Sequence, residues 1–70
     1  MYSSIEDLYI NYKLYKPTIS IGLDKYELLR VDHYGKNEYH VYGHITASWC
    51  LKIRIVKGKP FEIIFSENRE

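Results

Sequence analysis

The spacing of the apolar residues changes at Pro17, and this change constrains the fold more than any other feature of the sequence. Before the proline, apolar and aromatic residues recur every three or four positions, as they do along one face of a helix. They are Ile5, Leu8, Tyr9, Tyr12 and Tyr15. After the proline they recur at every second position, which is the period of a strand with one buried face. The sequence therefore predicts an α+β chain in which the helix comes first.

The segment before Pro17 predicts one short helix over about residues 4–15. Ser3 and Ser4 are both suitable N-caps, and Glu6 lies where a capping box that begins at Ser3 requires an acidic residue. Proline ends the helix because it has no amide hydrogen to donate.

Alternating apolar residues and short turns divide the rest of the chain into five strands. These strands are predicted over about residues 18–23, 26–34, 38–45, 49–57 and 61–66. The segments 35–37, 46–48 and 57–59 have the length and composition of hairpin turns. Consecutive strands joined by such short turns are antiparallel neighbours. We therefore expect a single domain, residues 1–70, that contains a five-stranded antiparallel meander.

Two turns of three residues set the predicted register of the third strand. They pair Val41 with Ile53 on one side and with Val31 on the other, so that apolar residues share one face. The opposite face then carries two cross-strand rows, Asp32–His40–Arg54 and Arg30–Tyr42–Lys52.

The formal charge of +1 conceals a basic segment. Ten Lys and Arg balance nine Asp and Glu, which excludes a strongly basic protein that coats nucleic acid. Residues 52–59, however, contain four basic residues and no acidic one. Bases stack on aromatic rings while Arg and Lys contact phosphates, so this face predicts a binding module for nucleic acid. The predicted contact residues are Arg30, His40, Tyr42, Lys52, Arg54, Lys57 and Lys59.

Other interpretations of the same face remain open. Sheet faces in solvent commonly carry Tyr, Lys and Arg without binding a ligand. The eight tyrosines also suit a non-catalytic module that binds a protein partner. A metal-independent ribonuclease would use His40 as its base, held by Asp32. Arg54 would lie beside His40, and Lys52 would be the cation that stabilises the oxyanion.

The predicted helix is too small to cover the apolar face of the sheet. Twelve residues form a helix about 18 Å long and about 10 Å wide, whereas five strands about 4.8 Å apart form a sheet roughly 24 Å across. Either the sheet curls strongly towards a barrel, or a second copy of the chain covers the remainder. We expect the curled sheet, with a homodimer as the alternative. The alternation assigns to this face Val41, Ile45, Trp49, Leu51, Ile53, Ile55, Phe61, Ile63 and Phe65.

The sequence predicts no cofactor, metal site or membrane segment. Its apolar runs are too short for a transmembrane helix or a signal peptide, so we expect an intracellular, cytoplasmic protein. His40 and His44 have the spacing of a metal-binding pair on a helix. On a strand the same spacing spans about 13 Å, which is too far for one ion. The single cysteine, Cys50, excludes an internal disulfide.

Overall fold

The computed structural model describes residues 2–67. Its helix lies before Pro17 and its strands lie after it, as the change in apolar spacing predicts. These residues form one helix and five strands. The elements are α1 (Ile5–Asn11), β1 (Thr18–Ile21), β2 (Asp24–Tyr34), β3 (Asn37–His44), β4 (Cys50–Val56) and β5 (Lys59–Ser66). The strands pair in chain order as an antiparallel meander, and the sheet curls into a half-barrel. The predicted α+β fold and its strong curvature are confirmed.

Helix α1 begins one residue later than the predicted capping box implies. Ser4 is the N-cap, and its Oγ accepts a hydrogen bond from the Asp7 amide at 3.2 Å. In return, the Asp7 carboxylate accepts a hydrogen bond from the Ser3 amide at 3.0 Å. This backbone contact, together with a hydrogen bond from the side chain of Asn11, lowers the pKa of Asp7.

Helix α1 ends at Asn11, well before the predicted limit near residue 15, because Tyr12 turns into the core. Tyr12 has an extended backbone (φ −61°, ψ 128°), although its amide still donates to the Leu8 carbonyl at 3.0 Å. Its ring is buried, and its hydroxyl contacts His40 and Tyr42. A helix this short gains its stability from packing rather than from its own hydrogen bonds. Burying Tyr12 therefore outweighs another helical turn.

The register of β3 differs by one residue from the prediction. His40, rather than Val41, pairs with Ile53 on β4 and with Val31 on β2. The turn between β2 and β3 has two residues instead of three, and it begins at Gly35, whose φ of +60° is accessible to glycine at little cost. The loop before β4 covers residues 45–49 instead of 46–48. Both differences shift β3 in the same direction.

This shift moves every β3 side chain to the opposite face of the sheet, because side chains alternate along a strand. We call the face that packs against Leu8 and Tyr12 the inner face, and the opposite face the outer face. The inner face receives His40, Tyr42 and His44 from β3, and the outer face receives Tyr39 and Val41.

Two bulges account for much of the curvature of the sheet. Leu29 is an extra residue on β2, and Phe61 is an extra residue on β5. A bulge bends its strand and increases the local twist, so a short helix is enough to cover the curled inner face. The buried core consists of Leu8, Tyr12, Ile19, Tyr26, Tyr42, Leu51, Ile53 and Ile55.

Several residues predicted for the apolar face lie outside this core. Ile45 and Trp49 belong to the β3–β4 loop, and the side chain of Trp49 is 42% exposed. Phe61 lies at the β5 bulge, and Phe65 is near the end of the same edge strand; both are more than half exposed. The alternation of the sequence does not reveal loops and bulges, which interrupt the period of the strand.

Within residues 2–67, no helix is long and apolar enough to cross a membrane.

We predict that Lys57→Asn stabilises the protein. Lys57 and Gly58 form the β4–β5 turn, and both have positive φ, 55° and 77°, as a type I′ turn requires. Lysine is strained in this conformation, which asparagine tolerates because its short side chain forms local hydrogen bonds. We expect the free energy of unfolding, measured by urea denaturation, to rise by about 1 kcal/mol.

The matched control is Lys59→Asn, which makes the same chemical change at the first residue of β5. It should give no gain, because Lys59 is not among the residues with positive φ. A Lys57→Asn variant no more stable than the wild type would show that the turn carries no such strain.

Candidate nucleic-acid interface

The outer face brings together three of the seven residues predicted to contact nucleic acid. Two cross-strand rows contain them: Arg30–Val41–Lys52–Ile64 and Asp32–Tyr39–Arg54–Glu62. The residues of β2 and β4 thus keep their predicted places in the two rows. On β3, the shift puts Val41 at the predicted place of Tyr42 and Tyr39 at the predicted place of His40. Arg30, Lys52 and Arg54 share this face as predicted.

A shallow groove of about 440 Å³ lies across these rows. Its lining residues are Arg30, Asp32, Tyr34, Tyr39, Lys52 and Ile64. The rings of Tyr34 and Tyr39 meet edge to face, with their centroids 5.4 Å apart. Tyr34 is 62% exposed, so its ring is accessible to a ligand. The groove, which we call the outer groove, therefore combines aromatic rings with basic side chains.

Arg30 is oriented by Asp32 on the same strand. Its Nε donates to both carboxylate oxygens, at 3.0 and 3.2 Å. Both side chains are partly exposed, so this ion pair contributes little to stability. It holds the guanidinium beside the outer groove. The negative charge of Asp32 also reduces the positive potential there.

Arg54 lies next to the outer groove and packs on an aromatic ring. Its guanidinium carbon is 5.1 Å from the centroid of the Phe61 ring, which the β5 bulge places beneath it. Among the described residues, no group accepts a hydrogen bond from the buried Nε of Arg54. Glu62 faces Arg54 across the strand pair. Acidic residues therefore accompany the basic ones on this face.

Lys57 and Lys59 lie at one end of the sheet, outside the outer groove. The register aligns Tyr34, Asn37, Val56 and Lys59 in one row, so Lys59 is at the same end as the Tyr34 side of the groove. Lys36, in the β2–β3 turn, is at this end as well and is exposed. Lys36 was not predicted, because it lies outside the basic segment 52–59.

His40 and Tyr42, the other two predicted contact residues, are on the inner face and fully buried. The prediction placed them on the wrong face because it shifted the register of β3 by one residue. The ribonuclease arrangement is not formed either, since Tyr39 rather than His40 lies between Asp32 and Arg54.

A continuous chain of polar contacts runs from the buried side chains of the inner face to the exposed Tyr15. The Tyr12 hydroxyl is 2.7 Å from the Tyr42 hydroxyl and 2.9 Å from Nδ1 of His40. Nε2 of His40 lies 3.3 Å from Oε1 of Glu38, which also accepts a hydrogen bond from Tyr15 at 2.7 Å. We call these five residues the inner network.

The direction of each hydrogen bond in the inner network follows from counting protons. Tyr42 donates to the Lys16 carbonyl at 2.8 Å, so its oxygen accepts the proton of Tyr12. The Tyr12 oxygen must then accept from Nδ1 of His40. An ionised Glu38 only accepts, so its contact with Nε2 also requires a proton there.

Burial is the main reason why the pKa values of Tyr12 and Tyr42 lie above that of a free tyrosine. The pKa of Glu38 is lowered, first by the hydrogen bond from Tyr15 and then by His40. The raised tyrosine pKa values mean that the folded protein holds these protons more tightly than the unfolded chain. The corresponding stability is fully present below pH 10, the ordinary tyrosine pKa, and is lost as the pH rises above it.

The histidines occupy separate environments. His44 contacts Asp24 through Nε2 at 3.1 Å, far from the contacts of His40 with Glu38 and Tyr12 in the inner network. In the part of the chain that the structure describes, no three His, Cys, Asp or Glu side chains are grouped so as to hold a metal ion.

Tyr34 and Tyr39 line the groove but were not among the predicted contact residues. The signal that could have placed Tyr39 on this face is the β2–β3 turn, where Gly35 begins a two-residue connection. Two-residue hairpin turns with glycine at a position of positive φ are the most common type. Choosing that turn would have placed Tyr39 beside Arg54.

We predict that Tyr12→Phe destabilises the protein. The substitution keeps the ring but removes the hydroxyl that joins His40 to Tyr42. Because buried polar groups lose their partner, the free energy of unfolding in urea at neutral pH should fall by about 1–3 kcal/mol. The stability of the variant should also fall less steeply than that of the wild type above pH 10, because one buried phenol is absent.

Tyr34→Phe is the matched control, since it removes a hydroxyl from an exposed ring. Its free energy of unfolding should stay within about 0.5 kcal/mol of the wild type. If both variants lost the same free energy of unfolding, the Tyr12 hydroxyl would contribute no more to stability than an exposed hydroxyl does.

The outer groove retains two of the seven predicted contact residues and borders a third. It keeps Arg30 and Lys52, adds the rings of Tyr34 and Tyr39, and borders Arg54. Comparisons of the chain with protein-family models, with curated proteins and with solved structures give no significant match.

Proposed function

We propose that this protein is a small non-catalytic binding module and that its outer groove contacts single-stranded nucleic acid. The observation that carries the proposal is the composition of the outer groove, where the paired rings of Tyr34 and Tyr39 lie with Arg30 and Lys52. Single-strand binding surfaces combine the same two elements, aromatic rings for the bases and cations for the backbone.

A single strand suits the outer groove better than a duplex. Only an unpaired base can turn its face onto the exposed ring of Tyr34 or onto the half-buried ring of Tyr39. The groove is shallow and open, so a strand can lie across it without being enclosed. Basic residues then flank the rings, at distances set by the spacing of about 4.8 Å between neighbouring strands. They are Arg30, Lys52 and Arg54.

The acidic neighbours limit the strength of this interaction. Asp32 pairs with Arg30, and Glu62 faces Arg54 across the strands. Each carboxylate opposes the approach of a phosphate, so binding should be weak. Three phosphate contacts to single-stranded nucleic acid correspond to a slope of about −2 in log affinity against log salt concentration.

We predict that the protein binds a fluorescent single-stranded oligonucleotide at low salt with this slope, as measured by anisotropy. Tyr39→Leu keeps an apolar side chain but removes the stacking surface, so affinity should fall roughly tenfold. Lys52→Met removes one cation, so the slope should become shallower by about 0.7.

Lys13→Met is the control for Lys52→Met, because it changes the net charge equally at an exposed position beyond α1. It should leave the salt slope unchanged. Binding that does not respond to salt, or equal effects of the two lysine variants, would contradict contact through the outer groove.

The exposed apolar residues of β5 favour a second function, in which the chain associates with another protein chain. β5 is an edge strand, and Phe61, Ile64 and Phe65 are 62%, 39% and 53% exposed. Exposed apolar side chains at the edge of a sheet form a surface that another chain can cover. The simplest such complex is a homodimer.

This second function predicts a dimer mass in sedimentation equilibrium at micromolar to millimolar concentration. Phe61→Ser should shift the equilibrium towards the monomer, because it removes exposed apolar surface from β5. Leu23→Ser is the matched control, since Leu23 is fully exposed in the β1–β2 turn. A wild-type protein that remains a monomer throughout this range would exclude the homodimer.

A further inference from the structure

A second open pocket of about 440 Å³ lies at the end of the sheet opposite the turn of Lys57 and Gly58. It is formed by the start of α1, the β1–β2 hairpin, the β3–β4 loop and the end of β5. Its walls are Ile5, Ile21, Tyr26, Trp49 and Phe65, with Asp24, Ser66 and Glu67 adding polar groups. We call it the acidic pocket.

We propose that the acidic pocket binds a small organic cation, an ammonium group that carries alkyl or aryl substituents. Three aromatic rings and two carboxylates line the same cavity, and this combination matches both parts of such a ligand. The aromatic faces attract the positive charge through their quadrupoles, and they also cover the apolar substituents. The carboxylates add a net negative potential.

The aromatic walls are held in place before any ligand binds. Tyr26 is almost fully buried, whereas Trp49 and Phe65 are 42% and 53% exposed. The His44 ring meets the rings of Tyr26 and Trp49 edge to face, at 5.1 and 5.2 Å between centroids. His44 therefore connects the buried ring to the exposed one.

His44 also fixes the loop that carries Trp49. Its Nδ1 accepts hydrogen bonds from the amides of Thr46 and Ala47, at 3.1 and 3.0 Å. The His44 amide donates to the Trp49 carbonyl at 3.1 Å, which closes the loop at its other end. A wall fixed in this way loses little conformational freedom when a ligand binds.

The charges of the acidic pocket have one sign. Asp24 and Glu67 are the charged residues among the described residues that line it. Because Nδ1 of His44 accepts two amide hydrogen bonds, the ring carries its proton on Nε2, which donates to Asp24 at 3.1 Å. This contact orients the Asp24 carboxylate without removing its charge, and the side chain remains 53% exposed.

This charge distribution selects among ligand classes. An anion would be repelled by both carboxylates, and an uncharged apolar molecule would gain nothing from them. A small inorganic cation would leave the aromatic walls unused. A substituted ammonium ion uses the rings and the carboxylates together, so it is the class of ligand that the acidic pocket fits.

The fluorescence of Trp49 provides a direct test, because Trp49 is the only tryptophan in the sequence. The wild-type protein is titrated at low salt with choline and, separately, with the uncharged analogue in which a tert-butyl group replaces the trimethylammonium group. The two probes have nearly the same shape. We expect choline to bind roughly tenfold more tightly than the analogue, because a ring and a carboxylate both act on its charge.

Two variants separate these contributions. Asp24→Asn keeps the shape of the side chain and an oxygen for His44 but removes the charge, so choline should bind roughly fivefold more weakly. Phe65→Leu keeps an apolar wall without the aromatic face, and choline affinity should fall roughly threefold. Neither variant should change the weak binding of the uncharged analogue. Glu62→Gln removes a carboxylate from the outer face and is the control.

Thermal unfolding of each variant shows whether it remains folded. If Asp24→Asn unfolds because its contact with His44 is weakened, Glu67→Gln removes the other carboxylate of the acidic pocket without touching His44, and it should weaken choline binding instead. Equal affinities for choline and the uncharged analogue would overturn the proposal. So would choline binding that neither carboxylate variant weakens.

Discussion

The hydroxyl of Tyr12 is the contact on which the rest of this fold depends. It lies between a buried imidazole and a buried phenol and contacts both His40 and Tyr42, so its loss would leave Nδ1 of His40 without a partner at a cost of about 1–3 kcal/mol. The chain can bring Tyr12 there only by leaving the helix after Asn11. The contact of Tyr12 therefore explains both the short helix and the polar side chains on the inner face.

The same contact determines what the outer face can bind. Because side chains alternate along β3, the register that turns His40 and Tyr42 inward also turns Tyr39 outward, beside Arg54 and next to the row of Lys52. The inner network and the outer groove are thus two consequences of a single register. A shift by one residue would turn Tyr39 to the inner face and His40 to the outer face.

The meander also places three lysines and two carboxylates at opposite ends of the sheet. Alternate turns of a meander lie at opposite ends of the sheet. Lys36, Lys57 and Lys59 therefore lie together at one end, and Asp24 lies at the other, near Glu67. The two proposals accordingly concern ligands of opposite charge, a nucleic acid for the outer groove and an organic cation for the acidic pocket.

The sequence by itself determined the order of elements, the antiparallel meander and its curvature, because these follow from local spacing, short turns and a helix too small for a flat sheet. It also placed Arg30, Lys52 and Arg54 on one face, since β2 and β4 kept their relative alignment. Only the tertiary structure decided which face of β3 is buried. That choice depends on a long-range contact with Tyr12 and on turn lengths that differ by one residue. The alternation of β3 is equally regular in both registers, so its local pattern cannot distinguish them.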